Sequence, residues 1–301
     1  MYYIIYGLLY LFSLLPFPVI YFIGDGIYAL VYYVFGYRKM VVMKNLLIAF
    51  PEKTARERKK ISKQFYHNLV DTFLEIIKTL SMSEKTFAKR CTSNYEIVNE
   101  LARKGKSVQL LSGHQFNWEY GSLAMSRDIK AVPYYAVYIP IENRAMSRLF
   151  LNLRQKYGAK FIDATEFRRI KEELFKNQFS IALAADQNPG GPSTAFWQNF
   201  FNKPVPFITG PELRSIQYNT AVVFVRSRRI KRGYYDCECT LFTENAASTS
   251  KGEITCGFRD FLENVLREEP DNYLWTHRRW KWDYKQEYKE RWIDEKMPAP
   301  E

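Results

Sequence analysis

Hydrophobic and polar positions divide the chain into distinct regimes. Residues 1 to 36 carry one charge, Asp25; Met1 to Leu15 is apolar, Pro16 and Pro18 interrupt, and Val19 to Phe35 resumes the apolar run. The prolines and the Gly24-Asp25-Gly26 break leave each half short of the roughly 20 residues a straight spanning helix needs. A re-entrant or interfacial anchor therefore competes with a span, and with an apolar helical pair packed on the rest of the protein. No basic n-region or small-residue cleavage site marks a signal peptide. Arg38, Lys39 and Lys44 follow directly, which predicts that the rest of the chain lies on the cytoplasmic side.

From residue 52 to 90 the pattern becomes that of an amphipathic helix. Thr54 is placed to cap it, and Ile61, Phe65, Leu69, Phe73, Ile76, Ile77 and Leu80 recur at steps of three and four. His67 and Glu75 within it are expected to be satisfied or solvent-side residues. Beyond this, strand-like and helical patterns alternate. A strand ends at Ser112-Gly113, Ile129 to Ile139 is a second, Asn143 to Tyr157 a helix, Ala159 to Ile162 a short strand, Glu166 to Phe175 a helix and Phe179 to Ala184 a buried strand. Pro211 to Gln217 predicts a short helix, Ala221 to Arg226 and Tyr234 to Phe242 paired strands across a basic turn, Arg228 to Arg232, and Phe258 to Leu266 a helix. The alternation predicts an α/β fold, a mixed central sheet flanked by helices with an apolar N-terminal anchor. Residues 284–301 form a polar tail expected to fray.

At 301 residues the chain can bury a full core, and its formal charge of +12 suits an anionic partner, either nucleic acid or anionic lipid. Aromatic residues make up 17% of the chain, in keeping with the belts that anchor proteins at a membrane interface, and this favours lipid. The segment Tyr273-Leu274-Trp275-Thr276-His277-Arg278-Arg279-Trp280-Lys281-Trp282 interleaves cations with indoles and would suit a headgroup layer or stacked single-stranded nucleic acid. The long uncharged N-terminus argues against nucleic acid. Cys91, Cys237, Cys239 and Cys256 lack paired metal-ligand spacing and are expected to be reduced thiols, with no metal and no cofactor.

The chemistry concentrates in Gly113-His114-Gln115-Phe116-Asn117-Trp118-Glu119. Only three histidines occur, His67, His114 and His277, and only His114 follows a glycine-marked strand end. Five helical residues turn through about 140°, so His114 and Glu119 share a site only if His114 lies in the turn and Glu119 in the first helical turn. A carboxylate on one imidazole nitrogen leaves the other free to take a proton from a hydroxyl. Asp186-Gln187-Asn188-Pro189-Gly190-Gly191-Pro192 is a loop at a strand's C-terminal end, where open α/β sheets place ligands, or else an ordinary surface loop.

The apolar N-terminus, this H-x-x-x-x-E, Val137-Tyr138-Ile139-Pro140, Ala185-Asp186-Gln187, Phe200-Phe201 with Thr209-Gly210-Pro211, and Tyr273 to Lys281 together resemble the bacterial late acyltransferases of lipid A biosynthesis, within the lysophospholipid acyltransferase superfamily. The resemblance covers nearly the whole chain. It implies a glycerol-3-phosphate acyltransferase-like fold, with residues 1–36 as membrane anchor and 37–283 as acyltransferase domain. It implies transfer of a fatty acyl group from acyl carrier protein, or from acyl coenzyme A, to a hydroxyl of a lipid A precursor at the cytoplasmic face of the inner membrane. His114 and Glu119 are then the catalytic pair. Asn117, Asp186 and Gln187 become substrate-side residues, and Arg278, Arg279 and Lys281 hold phosphate or the carrier's acidic surface. Where the family commonly has arginine between Tyr138 and Pro140 this chain has Ile139, so recognition passes to Arg144 or Arg148 and another acceptor, an aminolipid or glycolipid, stays open. A non-catalytic lipid-surface protein of the same fold is the remaining alternative.

Overall fold

The computed structural model describes residues 2–297. In chain order the elements are α1 (Tyr2–Leu14), α2 (Phe17–Ala29, continued by a π-helical turn Leu30–Val34), α3 (Lys39–Ala49), α4 (Ala55–Lys78), α5 (Glu84–Arg90), β1 (Cys91–Ser93), α6 (Glu96–Arg103), β2 (Val108–Ser112), α7 (Trp118–Asp128) and β3 (Tyr134–Tyr138). They continue as α8 (Arg144–Arg154), β4 (Lys160–Asp163), α9 (Ala164–Leu174), β5 (Ser180–Ala184), β6 (Phe196–Phe200), β7 (Lys203–Phe207), α10 (Gly210–Tyr218), β8 (Ala221–Lys231), β9 (Tyr234–Thr243) and α11 (Glu253–Glu268).

The 7-stranded sheet has the order β1-β9-β8-β2-β5-β3-β4. Only the β8–β9 pairing is antiparallel. This is the mixed α/β sheet expected from the alternating pattern. Residues in β8 alternate between its faces: Val222 and Phe224 join the core formed with α2, α3, α4 and α11, while Val223 and Val225 join that formed with α5 to α8. The hairpin of β6 and β7 stands apart from the main sheet.

The long amphipathic pattern divides into α4 and α5. Thr54 caps α4, the Glu57 N–H donating to its hydroxyl while the Thr54 N–H donates to the Glu57 carboxylate at 2.7 Å. The Gly24-Asp25-Gly26 triplet does not break α2. Gly24 sits where an added Cβ would lie 2.8 Å from Leu74, so the glycine lets α2 approach α4 closely. Phe17 meets Lys78, Tyr21 meets Glu75, Tyr28 stacks on His67 and Tyr32 packs against Tyr66, an antiparallel ladder along the whole helix. Lys78 also donates to the carbonyls of Ser13 and Leu15 at the end of α1.

Three further expectations are corrected. The second strand is shorter than Ile129 to Ile139, since Ile129 to Pro133 form the connection into β3. The basic Arg228–Arg232 stretch is mostly strand: β8 runs to Lys231, and Arg232 with Gly233, the latter at φ +76, makes the tight turn. Arg229 and Arg232 are not a solvated tip, because each donates to buried Asp71 at 2.8 Å. Nor does the described part of the tail fray. Tyr288 stacks on Trp197 at 5.1 Å, the Ile293 N–H donates to the Trp197 carbonyl, and Asp294 pairs with Arg259 at 2.9 Å. Polar composition concealed these anchors, whose partners lie far back in the chain.

Tyr288→Ala should therefore cost at least about 2 kcal/mol of stability, through lost ring burial and stacking. Urea denaturation of the detergent-solubilised protein should show a lower midpoint.

Candidate active site

β2 and β5 are adjacent, parallel and in register from Val108↔Ser180 to Ser112↔Ala184. The loops leaving their C-terminal ends therefore meet, and they carry His114 and Asp186. His114 Nδ1 lies 2.8 Å from Asp186 Oδ1, and the His114 backbone N–H donates to Asp186 Oδ2 at 3.0 Å. One carboxylate thus fixes both the ring and its backbone. With Nδ1 held as the donor, Nε2 keeps its lone pair.

Asp186 is 1% exposed. Burial disfavours its charge, but the imidazole and the backbone N–H outweigh that and hold its pKa down at about 2. Burial likewise disfavours a charged His114, and the adjacent Asp186 carboxylate overcomes this, so the imidazole pKa is raised. Gln187 Nε2 lies 3.3 Å from each ring nitrogen.

Glu119 lies in the first turn of α7, as expected, yet it makes no hydrogen bond to His114. Its partner is Arg154 of α8, which forks onto both oxygens with Nε–Oε2 at 2.8 Å, while Trp118 Nε1 donates at 3.2 Å. The expected role of Glu119 in orienting the ring is performed by Asp186. Local spacing favoured Glu119; strand adjacency places Asp186 in contact.

Asn117 is buried and is not presented to a substrate. It is the N-cap of α7, its Oδ1 accepting from the N–H groups of Glu119 and Tyr120 at 3.1 Å. The turn before it is pinned from two sides. The Phe116 N–H donates to Asn272 Oδ1 at 2.7 Å, and Gln115 Oε1 accepts from the Ser227 N–H at 2.8 Å. The amides of His114 and Phe116 are thus already engaged, which removes them as donors to a developing oxyanion.

His114, Glu119, Arg154 and Gln187 line a cavity of about 750 Å³ that extends past Met125, Tyr134, Phe161 and Ile181. Its size falls within the usual range of ligand pockets, and its interior is largely apolar. Arg154, Lys171 and Arg214 also line it, whereas Arg144 and Arg148 do not. Arg144 is exposed near the start of α8, and Arg148 turns back over the Tyr2 ring at 4.5 Å. Arg154 escaped the sequence reading because helical phase alone does not show which cation of α8 faces the sheet.

The basic-aromatic segment supports the site from below. Trp275 is 0% and Arg279 0% exposed. Arg279 donates to Asn188 Oδ1 and the Pro206 carbonyl at 2.9 Å and stacks over Phe207, so it faces no solvent. Trp275 packs on Phe50 and Trp280 on Phe200, leaving Arg278 and Lys281 as the exposed cations of the motif. His277 is not a second base: Nε2 accepts from the Asn188 N–H at 3.2 Å, and burial beside Arg279 pushes its pKa down to about 4.

An imidazole whose Nε2 keeps its lone pair, within reach of the Gln187 amide and seated at an apolar cavity, is the equipment of an enzyme that activates a hydroxyl beside a hydrocarbon chain. The chain matches the family model of bacterial lipid A biosynthesis acyltransferases over residues 1–282, and it belongs to that family. It is similar to a lipid A biosynthesis palmitoleoyltransferase of Escherichia coli (strain K12), 25% identical over 280 residues covering 91% of this chain and 89% of the relative. A lipid A biosynthesis acyltransferase of Shigella flexneri matches equally, and a lauroyltransferase of Escherichia coli (strain K12) is 23% identical over 277 residues, again covering 91% of this chain and 89% of the relative. The relatives are all named as acyltransferases of lipid A biosynthesis, and membership of their family makes this chain an acyltransferase.

With Asp186 raising the His114 pKa, the acidic limb of kcat/KM should fall above the ordinary imidazole value of about 6.5. Asp186→Asn removes that charge while burial remains, so the limb should move to lower pH. The rate should fall on the order of 100-fold or more, as the ring loses its fixed tautomer. Steady-state rates across pH measure both.

Proposed function

We propose that the protein transfers a fatty acyl chain from the thioester of acyl carrier protein to a hydroxyl of a lipid A precursor, with His114 as general base. The observation that carries this reading is the His114–Asp186 pair at the cavity, in a chain of this family. Nε2 takes the proton of the acceptor hydroxyl, and the alkoxide attacks the thioester carbonyl. The tetrahedral intermediate then collapses, breaking the carbon–sulfur bond, and the departing thiolate takes the proton from the imidazolium. Asp186 holds the ring and stabilises its charged form.

Glu119, still assigned to the catalytic site, acts through charge: its carboxylate favours the imidazolium and offsets the opposing charge of its partner Arg154. It holds Arg154 as well, and that guanidinium is the cation we assign to the negative charge that develops on the thioester oxygen. A general base is worth on the order of 100- to 10,000-fold, so positioning must supply much of the remaining acceleration.

We assign the apolar cavity to the acyl chain and exposed Arg278 and Lys281 to acceptor phosphate or the carrier's acidic surface, with Arg144 and Gln187 on the acceptor side. Ile139 is 80% exposed, so no cation stands at that position. An aminolipid or glycolipid acceptor is the second reading, and Ile139 is the observation favouring it.

The test is mass spectrometry of lipid A from cells with and without the gene, and with only His114→Ala. Loss of one acyl chain without the gene, not restored by the variant, is expected. Unchanged lipid A beside another lipid short of an acyl group would establish the second reading.

We place the enzyme on the cytoplasmic face of the inner membrane. The stretch Phe17–Val34 is long and apolar enough to cross a bilayer by length and composition. However, one face of it packs on α4 throughout, and a helix so held lies in the interface rather than across the membrane. Its other face exposes Val19, Phe22, Leu30, Tyr33 and Val34, and α1 exposes Ile4, Leu8 and Leu11. Phe22→Asp together with Leu8→Asp should therefore reduce co-flotation with anionic vesicles at least about tenfold without changing the circular dichroism spectrum.

A further inference from the structure

Glu75 on α4 is fully buried, yet it has no cation of its own among the described residues. The arginines of this region, Arg229 and Arg232, are bound one turn away to Asp71. Neutral donors from three elements converge on Glu75 instead. Tyr21 of α2 donates to Oε1 at 2.9 Å; Tyr235 of β9 and the Asn117 side-chain NH₂ donate to Oε2 at 2.8 and 3.0 Å. A buried carboxylate held only by neutral donors is expensive, and apolar residues would fill the same space at lower cost. Burial and the charge of Asp71 accordingly raise its pKa to about 7.

What this carboxylate contributes follows from donor and acceptor chemistry. In its ionised form this carboxylate only accepts, so the Asn117 amide turns its NH₂ toward Glu75. That leaves Oδ1 facing the N–H groups of Glu119 and Tyr120, the arrangement a helix cap requires. With the amide reversed, NH₂ would face two N–H donors and the cap would fail.

We propose that Glu75 is a positioning residue for acyl transfer. It sets the orientation of Asn117 and thereby the first turn of α7 with Glu119, and through Tyr21 it ties that setting to the seating of α2 on α4. The inference rests on the role given to Glu119 above.

The experiment compares the parent with Glu75→Met, which removes the acceptor oxygens, Asn117→Ala, their double variant and Tyr21→Phe, by steady-state kinetics and by amide hydrogen exchange of the full-length protein in detergent. Glu75→Met should lower kcat about tenfold with acceptor KM unchanged. Exchange in the peptide spanning residues 117–121 should rise about fivefold, as for a lost cap, while β2 and the rest of α4 exchange as in the parent. The double variant should be no worse than Asn117→Ala alone, and Tyr21→Phe should give a smaller change in the same peptide. Additive losses in the double variant, or unchanged exchange at 117–121, would overturn the inference and leave the acyltransferase reading intact. A parent that transfers no acyl group would overturn the reading, and with it the part given to Glu75, whatever the exchange shows.

Discussion

The site depends on one electrostatic pairing made possible by strand adjacency. Asp186 is removed from water and remains ionised because an imidazole edge and a backbone N–H both face it. The pairing needs β2 and β5 side by side and in register, which the hydrophobic runs of both strands enforce by burial. A slip of one residue would turn each strand's inward side chains outward and separate the two loops. The sheet therefore acts as a jig for two short loops, and His114 and Asp186 are held together at the ends of paired strands.

Much of this was legible in the sequence, and the parts that were not share a cause. The Ser-Gly strand end, the place of His114 in the turn and Glu119 in the first helical turn follow from local pattern, and the structure shows them. The partner of the ring does not follow, because Asp186 is 72 residues from His114, and the partner of Glu119 is 35 residues away. Spacing reports only neighbours along the chain. The same limit misplaced Trp275, Trp280 and Arg279. Next to lysine and arginine, indoles look like an interfacial patch, until Phe50, Phe200 and Phe207 arrive from elsewhere to cover them. Glycine was misread for a different reason: Gly24 suggested a break in α2, when its lack of a side chain is what allows two helices to touch.

The buried polar groups form one connected body rather than isolated pairs. Asp71 holds two arginines of the β8–β9 hairpin, Glu75 one turn later gathers α2, α7 and β9, and Asn272 links the catalytic turn to β8. Such a network favours one packing among the many that hydrophobic contacts would tolerate. The His114 turn is a point where several of these ties meet.

The pinning of that turn by Asn272 also bears on how the molecule comes into being. Chains emerge from the ribosome N-terminus first and fold as their segments appear. The apolar helices α1 and α2 emerge ahead of the His114 turn, which itself emerges well before the segment that clamps it. Until Asn272 and Leu274 emerge, the Phe116 N–H and the His114 carbonyl lack their partners. In a nascent chain the apolar helices are thus made before the His114 turn can be completed, and a message cut short before residue 272 leaves that turn without its clamp.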